Sequence, residues 1–559
     1  MSPSALFLGE MERKRGSQPK TKIEFITKAG AVTDISRWFL AGANFEQVKE
    51  RAPDEIQAGQ FDVVLSNHDD KFSEFKTASF LYGMDYHGAR IRVSQGFILS
   101  DGTEEYLVQG VGYIDQLITD PATSRVILRC RDRLWRVMDS KIHIRPENEF
   151  PLANGSNAGN GICSVINTRP FFTVNQNWTL TCTLGGIDGV ATFSVVGSVS
   201  GSIGPATSGT EFVNNAAGIK FTLRAGSLIW VVGDKFTFST HQHPQWSGVN
   251  AGKIIWSILT GYNWDTDTIE NWAPLVFNFD RTKTSANVDL DYDSFVSAIA
   301  QITTYGVFDL KGFANYDTDA VAFLQELLTL VLGSLFTGAD GRIKLKIYTP
   351  LFGAINRTFT DDDKVTALNY NRTIDEVINS VIVNYIASDI WDFSDKGATL
   401  DGSHARKDSS SITSYKELGV SFDIHWYTQS GLHVQDFADK LLARFAQPPL
   451  NVSFDTGMDA LETEIGDYVG ITDIKYGLQA VVGEVAKILK QFDQRPAKVS
   501  IILRRDSQVA QQFGWIGSDQ DEGDGESPQN DDYDLASVAD KRFAYFGNNS
   551  APLPDYRIF

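Results

Sequence analysis

A run of short alternating segments between residues 61 and 135 is the feature that most constrains the fold of this chain. Apolar and polar residues alternate in Phe61–Ser66, Gly88–Val93, Leu107–Ile114 and Val126–Trp135. A period of two places successive side chains on opposite faces of a strand, so each segment predicts a strand with one buried face. The cluster Ser66–Asp70 favours a turn, because its side chains bond to their own backbone. The run predicts an antiparallel meander that closes into a small barrel or sandwich.

A second set of patterns lies between residues 434 and 503. Apolar residues recur at helical spacing through Val434–Phe445 and predict an amphipathic helix. Pro448 and Pro449 end it, because the residue before a proline avoids the helical region. A strand at Leu450–Phe454 follows, and after it come a Gly-Asp corner in Glu464–Ile471 and a last strand at Val499–Leu503.

The middle of the chain shows helical periods and one turn into a strand. Two helical faces are predicted, formed by Ile254, Ile255, Ile258 and Leu259 and by Phe295, Val296, Ile299 and Ile302. A third helix is predicted over Ala320–Phe336, with N-caps near Asp317 and Thr318. Gln325 and Glu326 interrupt its apolar run, so a buried helix is favoured over a membrane span. Gly338–Gly341 predicts a turn into the strand Arg342–Tyr348, with three basic residues on its solvent face.

These regions, taken in order, resemble phage tail-tip proteins, the baseplate hubs that cap a tail tube. The resemblance rests on Leu65-Ser-Asn67, Gly88–Val93, Gly112–Asp115 and Arg131–Trp135, and later on the order of helix, Pro-Pro, strand and Gly-Asp corner. It implies a mainly β chain with an α+β middle region and helical segments between two tail-tube-like β-barrel domains. The implied boundaries are 23–140 for the first barrel, 247–360 for the middle domain and 361–508 for the second barrel.

A Gly- and Asn-rich stretch, 141–164, is predicted to link the first barrel to an inserted small β-sandwich at 165–246. Four alternating segments with Gly and Ser turns between them indicate the sandwich: Trp178–Leu184, Ala191–Val196, Ile219–Leu223 and Lys235–Ser239. Tryptophans cluster in and after this module, namely Trp178, Trp230, Trp246, Trp256 and Trp264. Exposed rings could stack on sugars, whereas core packing is the ordinary role of such residues.

Both chain ends are predicted to be tethers. Residues 1–22 form a polar N-terminal arm, expected to be extended. Residues 509–534 form an acidic linker, because Gly517–Asp534 holds eight acids and no base and has few apolar residues to bury. Residues 535–559 regain aromatic side chains and form a C-terminal docking tail. Either end could join one subunit to its neighbour.

Composition narrows the functional classes. The 559 residues are 42% hydrophobic, which allows several domains with a large core. A net charge of −20 argues against sequence-specific nucleic-acid binding, since phosphate affinity comes from Lys and Arg, but it allows a channel that DNA passes without sticking. The three cysteines form no disulfide framework. The N-terminus has no secretory pattern, and no stable membrane insertion is expected.

Candidate chemical sites are few. Common nucleophile, zinc and phosphate motifs are absent from the sequence. His241 and His243 share one side of a strand and could hold a metal only with a distant third ligand. Asp519–Gly525 resembles a calcium loop loosely, with the wrong spacing. The acidic groups Asp361–Asp363 and Asp289, Asp291 and Asp293 are expected to be solvated. The sequence therefore predicts no catalytic, cofactor-binding or metal-binding residue, no cofactor and no enzyme activity.

The resemblance implies a structural hub of the virion tail tip, assembled in the host cytoplasm. It implies a homotrimeric ring that caps the tail tube and surrounds a channel for DNA passage during ejection and host attachment. The implied partners are a distal tail or tail tube protein, the tape-measure protein and a distal tail fibre or spike. An alternative is a receptor- or glycan-binding tail protein, possibly glycan-degrading, that acts through residues 165–246. A hub of a bacterial secretion or contractile-injection system shares the fold.

Overall fold

The structure is a computed structural model that describes residues 3–13, 19–49, 56–120, 122–138, 150–270, 277, 279–305, 310–314, 318–348, 355–364, 366–387, 400–427, 431–492 and 498–506. The predicted acidic linker 509–534 with its loop Asp519–Gly525, the predicted tail 535–559 and residues 141–149 of the predicted linker lie outside the described residues.

The described elements are mainly strands. The helices are α1 Ala5–Glu12, α2 Leu134–Met138, α3 Ala251–Thr260, α4 Tyr292–Tyr305, α5 Ala320–Leu330, α6 Ser409–Tyr415 and α7 Gly431–Phe445. The strands are β1 Pro19–Ile26, β2 Val32–Asp34, β3 Phe39–Gly42, β4 Phe45–Val48, β5 Ile56–Gln57, β6 Gln60–Ser66, β7 Arg90–Ile98, β8 Glu104–Asp120, β9 Arg125–Arg131, β10 Leu152–Ala153, β11 Ile162–Cys163, β12 Asn167–Thr168, β13 Gln176–Leu184, β14 Thr192–Gly197, β15 Gly201–Thr207, β16 Glu211–Asn214, β17 Ile219–Arg224, β18 Lys235–Thr240, β19 Gln245–Val249, β20 Leu310–Phe313, β21 Gly333–Thr337, β22 Ile343–Ile347, β23 Arg357–Phe359, β24 Asn369–Arg372, β25 Ser380–Ile386, β26 Gly402–Lys407, β27 Gly419–Tyr427, β28 Leu450–Thr456, β29 Tyr468–Asp473, β30 Leu478–Gln491 and β31 Lys498–Arg505.

The predicted meander forms a seven-stranded sheet, called here the first sheet, in the order β2-β1-β7-β8-β9-β6-β3. Phe61, Val63 and Leu65 are buried on its inner face, as their alternation predicts. Helix α1 packs on the same core through Phe7 and Met11. The prediction of an extended arm over residues 1–22 is therefore wrong for Ala5–Glu12, because two apolar side chains one helical turn apart provide a face that can be buried.

A second seven-stranded sheet, called the second sheet, has the order β23-β29-β30-β31-β28-β24, with β4 pairing to β30. Both sheets contain one four-strand unit. In each, a strand is followed in sequence by a three-strand meander and lies beside the last strand of that meander: β6 beside β9, and β28 beside β31. All pairs within the two units are antiparallel.

The longest strand of each unit, β8 in the first sheet and β30 in the second, pairs with its two neighbours in the same way. Tyr113 of β8 pairs with residues of both β7 and β9, and Glu484 of β30 pairs with residues of both β29 and β31. Directly after Tyr113 and Glu484, the pairing with the last strand of the unit shifts by one residue. The shift lies between Ile114 and Gln116 in β8 and between Val485 and Lys487 in β30. An extra residue of this kind is a β-bulge, which bends the strand and raises its twist.

The mainly β fold predicted from the sequence is confirmed. Neither seven-stranded sheet closes into a barrel within the described residues, because no pairing joins β2 to β3 or β23 to β24. The two predicted barrels are therefore open, curved sheets in the part of the chain that the structure describes.

A third core lies in the middle of the chain. It joins helices α3, α4, α5 and α7 to the sheet β19-β20-β27-β25-β26 and to the hairpin β21–β22. The predicted apolar faces of α3 and α7 are buried, and in α4 only Val296 of the predicted face is exposed. Among the described residues, no helix combines the length and the apolar character needed to cross a bilayer.

Two predicted boundaries in this region differ from the packing. Strands β25–β27 and helix α7 fall in the range 361–508 but pack into the middle core, because α7 presents its apolar stripe to β25 and β26. The helix predicted over Ala320–Phe336 ends at Leu330. Leu332 adopts a left-handed φ of 50°, and β21 begins at Gly333. Every residue of β21 is buried, so its sequence shows no alternation of apolar and polar residues from which a strand could be predicted.

The inserted module is a two-sheet sandwich with the orders β10-β18-β13-β14-β15 and β11-β17-β12, where β16 also pairs with β17. Strands β10 and β11 lie inside the predicted linker 141–164, which is therefore part of the sandwich from residue 152 onward. The asparagines explain this difference. Asn157 exchanges hydrogen bonds with the backbone of Lys235, and Asn160 accepts one from Leu228 N at 2.8 Å. Side chains that suit turns also attach a segment to its neighbours.

Candidate functional site: the charged junction between the two sheets

His241 and His243, the histidines considered as metal ligands, lie in the segment between β18 and β19. His243 is buried and its Nε2 lies 3.0 Å from Thr168 Oγ1. The described residues contain no group of three His, Cys, Asp or Glu side chains arranged to hold a metal ion.

The acidic groups are paired. Asp289 contacts Arg133, Asp291 lies 3.3 Å from Arg342, and Asp361 accepts from Lys364 at 2.6 Å. Asp363 accepts from Thr360 N at 2.8 Å. Asp293 lies in the first turn of α4, where a negative charge suits the helix dipole.

The tryptophans do not form a sugar-binding platform. Trp178, Trp230, Trp246 and Trp256 are buried in cores, and Trp264 packs against the middle core. Core packing therefore accounts for all five rings.

The most unusual arrangement of ionisable groups lies where the two sheets meet. Strand β4 comes from the N-terminal region between β3 and β6, yet it pairs antiparallel with β30 from Phe45 to Val48. Strand β31 pairs with one side of β30. On the other side, β29 pairs with the first half of β30 and β4 with the second half. The second sheet thus contains a strand from the first folding unit of the same chain.

Lys49, directly after β4, begins a buried row of alternating charges. Its ammonium contacts the carboxylate of Glu484 on β30. That carboxylate lies 3.4 Å from Arg444 Nη2 at the end of α7, and Arg444 Nε donates to Asp506 Oδ2 at 3.1 Å. All four side chains are buried. Isolated buried ions are costly, so the row depends on every member being present.

The charges around Glu484 determine its protonation. Burial alone raises the pKa of a carboxyl, but the positive charges of Lys49 and Arg444 outweigh it and lower the pKa of Glu484 to about 2. Arg444 also lies over Tyr348, with its guanidinium carbon 3.9 Å from the ring centroid. This cation–π contact ties the row to the middle core.

A second pair of ion contacts joins β22 to a corner of the second sheet. Lys344 Nζ lies 2.5 Å from Glu464 Oε2, and Lys346 Nζ lies 2.7 Å from Asp467 Oδ1. The pKa of Glu464 is lowered to about 2, because Lys344 and a hydrogen bond from Ala339 N outweigh the effect of burial. The prediction that the basic residues of Arg342–Tyr348 face solvent is wrong for these two lysines, which face an acidic corner of the same chain.

The Gly-Asp corner predicted in Glu464–Ile471 positions these two acids. Gly466 has a φ of +73°, and a Cβ placed on it would lie 3.1 Å from Lys346 Cδ. Only glycine adopts this conformation without strain and leaves room for the lysine.

A small cavity of about 40 Å³ lies between the sheets. Lys490 of β30 lines it and donates to Gln109 Oε1 of β8 at 3.0 Å and to Leu461 O at 2.7 Å. Burial lowers the pKa of Lys490 to about 8. Asp132 also lines the cavity, and burial raises its pKa to about 6. Lys490 is thus a direct polar link between the first and second sheets.

The junction is suited to holding two sheets in one orientation. Directional ion pairs have few alternative partners, whereas apolar contacts between curved sheets can slide. Sequence reasoning missed its residues, because Lys49 and Glu484 are far apart in the chain. Two local signals pointed to them. Glu484 interrupts the apolar run Val481–Ile488, and Arg444 sits at the apolar end of an amphipathic helix.

Solved structures of phage tail proteins are similar to this chain. A tail protein from Neisseria meningitidis MC58 aligns over 88% of this chain and 97% of its own, at 10% identity and a TM-score of 0.41. The 43 kDa tail protein of prophage MuSo2 from Shewanella oneidensis aligns over 87% and 99%, at 10% identity and a TM-score of 0.40. Prophage tail protein gp18 from Listeria monocytogenes EGD-e aligns over 88% and 96%, at 8% identity and a TM-score of 0.38.

The resemblance to phage tail proteins that the sequence predicts therefore recurs among solved structures. No protein-family model matches the sequence, and no curated protein is similar to it. Since all three TM-scores are low, we take no function from them.

Proposed function

We propose that this chain is a structural, non-enzymatic hub of a phage tail tip, located in the virion. The observation that carries the proposal is the repeat of one four-strand unit, with the same strand order and the same bulge position, in two sheets of a single chain. A repeat of this kind gives one polypeptide two comparable surfaces.

Three copies would present six comparable sheets. A ring built in this way matches a sixfold tube on one side and a threefold fibre or spike on the other, which resolves a symmetry mismatch without a second protein. The proposed partners are therefore a second and third copy of the chain, a distal tail or tail tube protein, the tape-measure protein and a distal fibre or spike. The proposed channel passes DNA, and the net charge of −20 would keep phosphate from adhering to it.

The charged junction supports this role. A ring subunit must hold its two sheets at one angle, because an angular error at each junction is repeated around the ring. Strand β4, which pairs with β30, and Lys490, which donates to Gln109 of β8, supply that constraint within one chain, and the buried row of Lys49, Glu484, Arg444 and Asp506 joins the second sheet to α7. Of the two predicted tethers, the N-terminal one needs revision, since α1 packs on its own first sheet.

The glycan-binding alternative loses its main support, because four of the tryptophans that suggested it are buried and Trp264 packs, half-buried, against the middle core. We do not propose it as a second function.

Light scattering on the purified full-length chain, with electron-microscope projections of the same sample, tests the proposal. The expected result is three times the chain mass and a ring in projection. A stable monomer at micromolar concentration, with no ring, would overturn the proposal.

A further inference from the structure

The end of the inserted module that lies farthest from its attachment is apolar. Strands β13 and β18 pair from Gln176 opposite Thr240 at one end to Thr181 opposite Lys235 at the other. The chain leaves the module after Thr240 and enters the middle sheet through β19. The loops 185–191 and 225–234 therefore lie at the opposite, distal end.

Six aliphatic side chains of these two loops are exposed, and we call them the apolar tip. Their exposed fractions are 61% for Ile187, 50% for Val190, 55% for Leu228, 55% for Ile229, 42% for Val231 and 64% for Val232. The two loops are joined by a pair of backbone hydrogen bonds between Gly186 and Trp230, at 2.9 and 3.0 Å. Leaving this many aliphatic groups together in water is unfavourable, which indicates a surface that is covered in use.

The backbone of the tip is largely hydrogen-bonded within the module. Donor groups at both ends of the second loop have internal acceptors: Ala225 N to Asp188, Leu228 N to Asn160, Val231 N to Asp234 and Gly233 N to Cys182 O. Polar backbone groups that lack internal partners oppose transfer into hydrocarbon. In this module most of these backbone groups are already hydrogen-bonded, so transferring the tip into hydrocarbon would leave few of them without a partner.

Charges near the tip are distributed asymmetrically. Arg224 and Lys235 flank the second loop at its two ends, and both are exposed. Asp234 is buried and accepts from Ala158 N at 2.8 Å, so it presents no free charge outward. Two exposed acids lie at this end, Asp188 in the first loop and Glu211 at the start of β16. The carboxylate of Asp188 accepts from Ala225 N at 2.7 Å, and that of Glu211 lies 3.6 Å from Lys220 Nζ. Two cations at the base of an apolar loop suit the headgroups of an anionic bilayer.

We propose that the apolar tip contacts a lipid bilayer and inserts its aliphatic side chains at the boundary between headgroups and acyl chains. A lipid partner fits better than a protein partner. Protein interfaces are enriched in exposed aromatic side chains, whereas the six exposed side chains of the tip are aliphatic and its one tryptophan, Trp230, is buried beneath them. The contact is peripheral and reversible. It does not depend on the proposed trimer.

Flotation of the full-length protein with vesicles tests the proposal. Neutral vesicles contain phosphatidylcholine, and anionic vesicles also contain phosphatidylglycerol. In the tip variant, Leu228, Ile229 and Val232 are replaced by Ser. The control variant replaces Val199 and Val213 by Ser. Both control residues are exposed, Val199 in the turn between β14 and β15 at the proximal end and Val213 in β16. We expect the tip variant to lose about tenfold or more in vesicle partitioning, and the control to keep it.

A charge variant sharpens the result. Replacing Arg224 and Lys235 by Gln should lower partitioning roughly 20-fold on anionic vesicles and leave neutral vesicles unaffected. Intrinsic fluorescence of the 11 tryptophans, among them the buried Trp230, verifies that each variant is folded.

Three outcomes overturn the proposal. They are no flotation of the wild-type protein with either vesicle, equal flotation of wild type and tip variant, and a loss of oligomer mass in the tip variant that the control does not show. The last outcome would mean that the tip packs against another copy of the chain. A monomeric wild type that still binds vesicles would contradict the hub proposal and leave this one intact.

Discussion

The first and second sheets share a four-strand unit but differ along the outer half of its longest strand. In the second sheet, β4 covers the edge of β30 beyond Glu484. In the first sheet, no described strand pairs with the equivalent edge of β8, Gln116–Thr119, on the side away from β9. In the second sheet, β4 thus covers this edge. In the first sheet the edge has backbone groups with which a further strand can pair.

The difference extends to the side chains at equivalent positions. The position of Glu484 in the second sheet is that of Tyr113 in the first, and the position of Lys490 is that of Thr119. At these two positions the second sheet has buried ionisable residues whose partners come from elsewhere in the chain: Lys49 and Arg444 for Glu484, and Gln109 and Leu461 for Lys490. A buried ion is costly without partners, which accounts for the uncharged Tyr113 and Thr119 at the equivalent positions of the first sheet.

Breaking the ion row should have the largest effect. Replacing Arg444 by Met leaves the carboxylates of Glu484 and Asp506 buried without their shared partner. We expect a loss of about 3–5 kcal/mol in the free energy of unfolding, measured by urea denaturation. The control replaces Lys487 by Ala on the same strand, where the ion pair with Glu46 is exposed, and should cost about 1 kcal/mol or less. Equal losses would mean that the buried row stabilises the second sheet no more than an exposed ion pair does.

Lowering the pH should weaken the second sheet through two buried carboxylates. The folded-state pKa values of Glu464 and Glu484 are about 2, below the ordinary 4.5, so their stabilising contribution is complete above pH 4.5 and is lost as the pH falls toward 2. The expected loss is on the order of 3 kcal/mol for each group. Replacing Glu464 by Gln should reduce the fall in unfolding free energy between pH 5 and 3 by about 2 kcal/mol, since one group contributes at most about 1.4 kcal/mol per pH unit. An unchanged slope would contradict the assigned role of Glu464.

Matched glycine substitutions compare a corner in each sheet. Gly466 in the second sheet and Gly102 in the first both have left-handed φ values, but only Gly466 has a neighbour, Lys346, near the position of a Cβ. Replacing Gly466 by Ala should cost about 2 kcal/mol, and replacing Gly102 by Ala about 1 kcal/mol. Thermal unfolding measures both, and a reversed order would mean that the lysine adjusts freely.

A substitution near the uncovered edge should have the smallest effect on stability. Phe75 is 91% exposed and lines a surface cavity with Leu117 and Thr119 of β8. Replacing it by Ser should change the unfolding free energy by less than about 0.5 kcal/mol. It should nevertheless reduce assembly of the proposed trimer, measured as mass by light scattering, whereas Val199→Ser should not. A trimer that persists would place the contact between copies elsewhere.

Local patterns predicted strands β6–β9, β13, β14, β17, β18, β22, β28 and β31 and the helices α3, α4 and α7, because alternation and helical spacing are visible within a few residues. They failed where context overrides local preference. The run Ala320–Phe336 is apolar throughout, so its division into α5 and β21 depends on the left-handed Leu332. Asparagine-rich residues after 150 read as a linker, because the same side chains that make turns also attach β10 and β11 to the sandwich.

The amino-acid sequence by itself determined the mainly β composition, the two similar end regions and the Gly-Asp corner, because periodicity and left-handed backbone positions are local properties. Only the tertiary structure decided that β4 crosses to the second sheet, that Lys344 and Lys346 face acids instead of water, and that Lys49 meets Glu484. Those contacts depend on how the curved sheets pack, and packing is a property of surfaces assembled from distant parts of the chain.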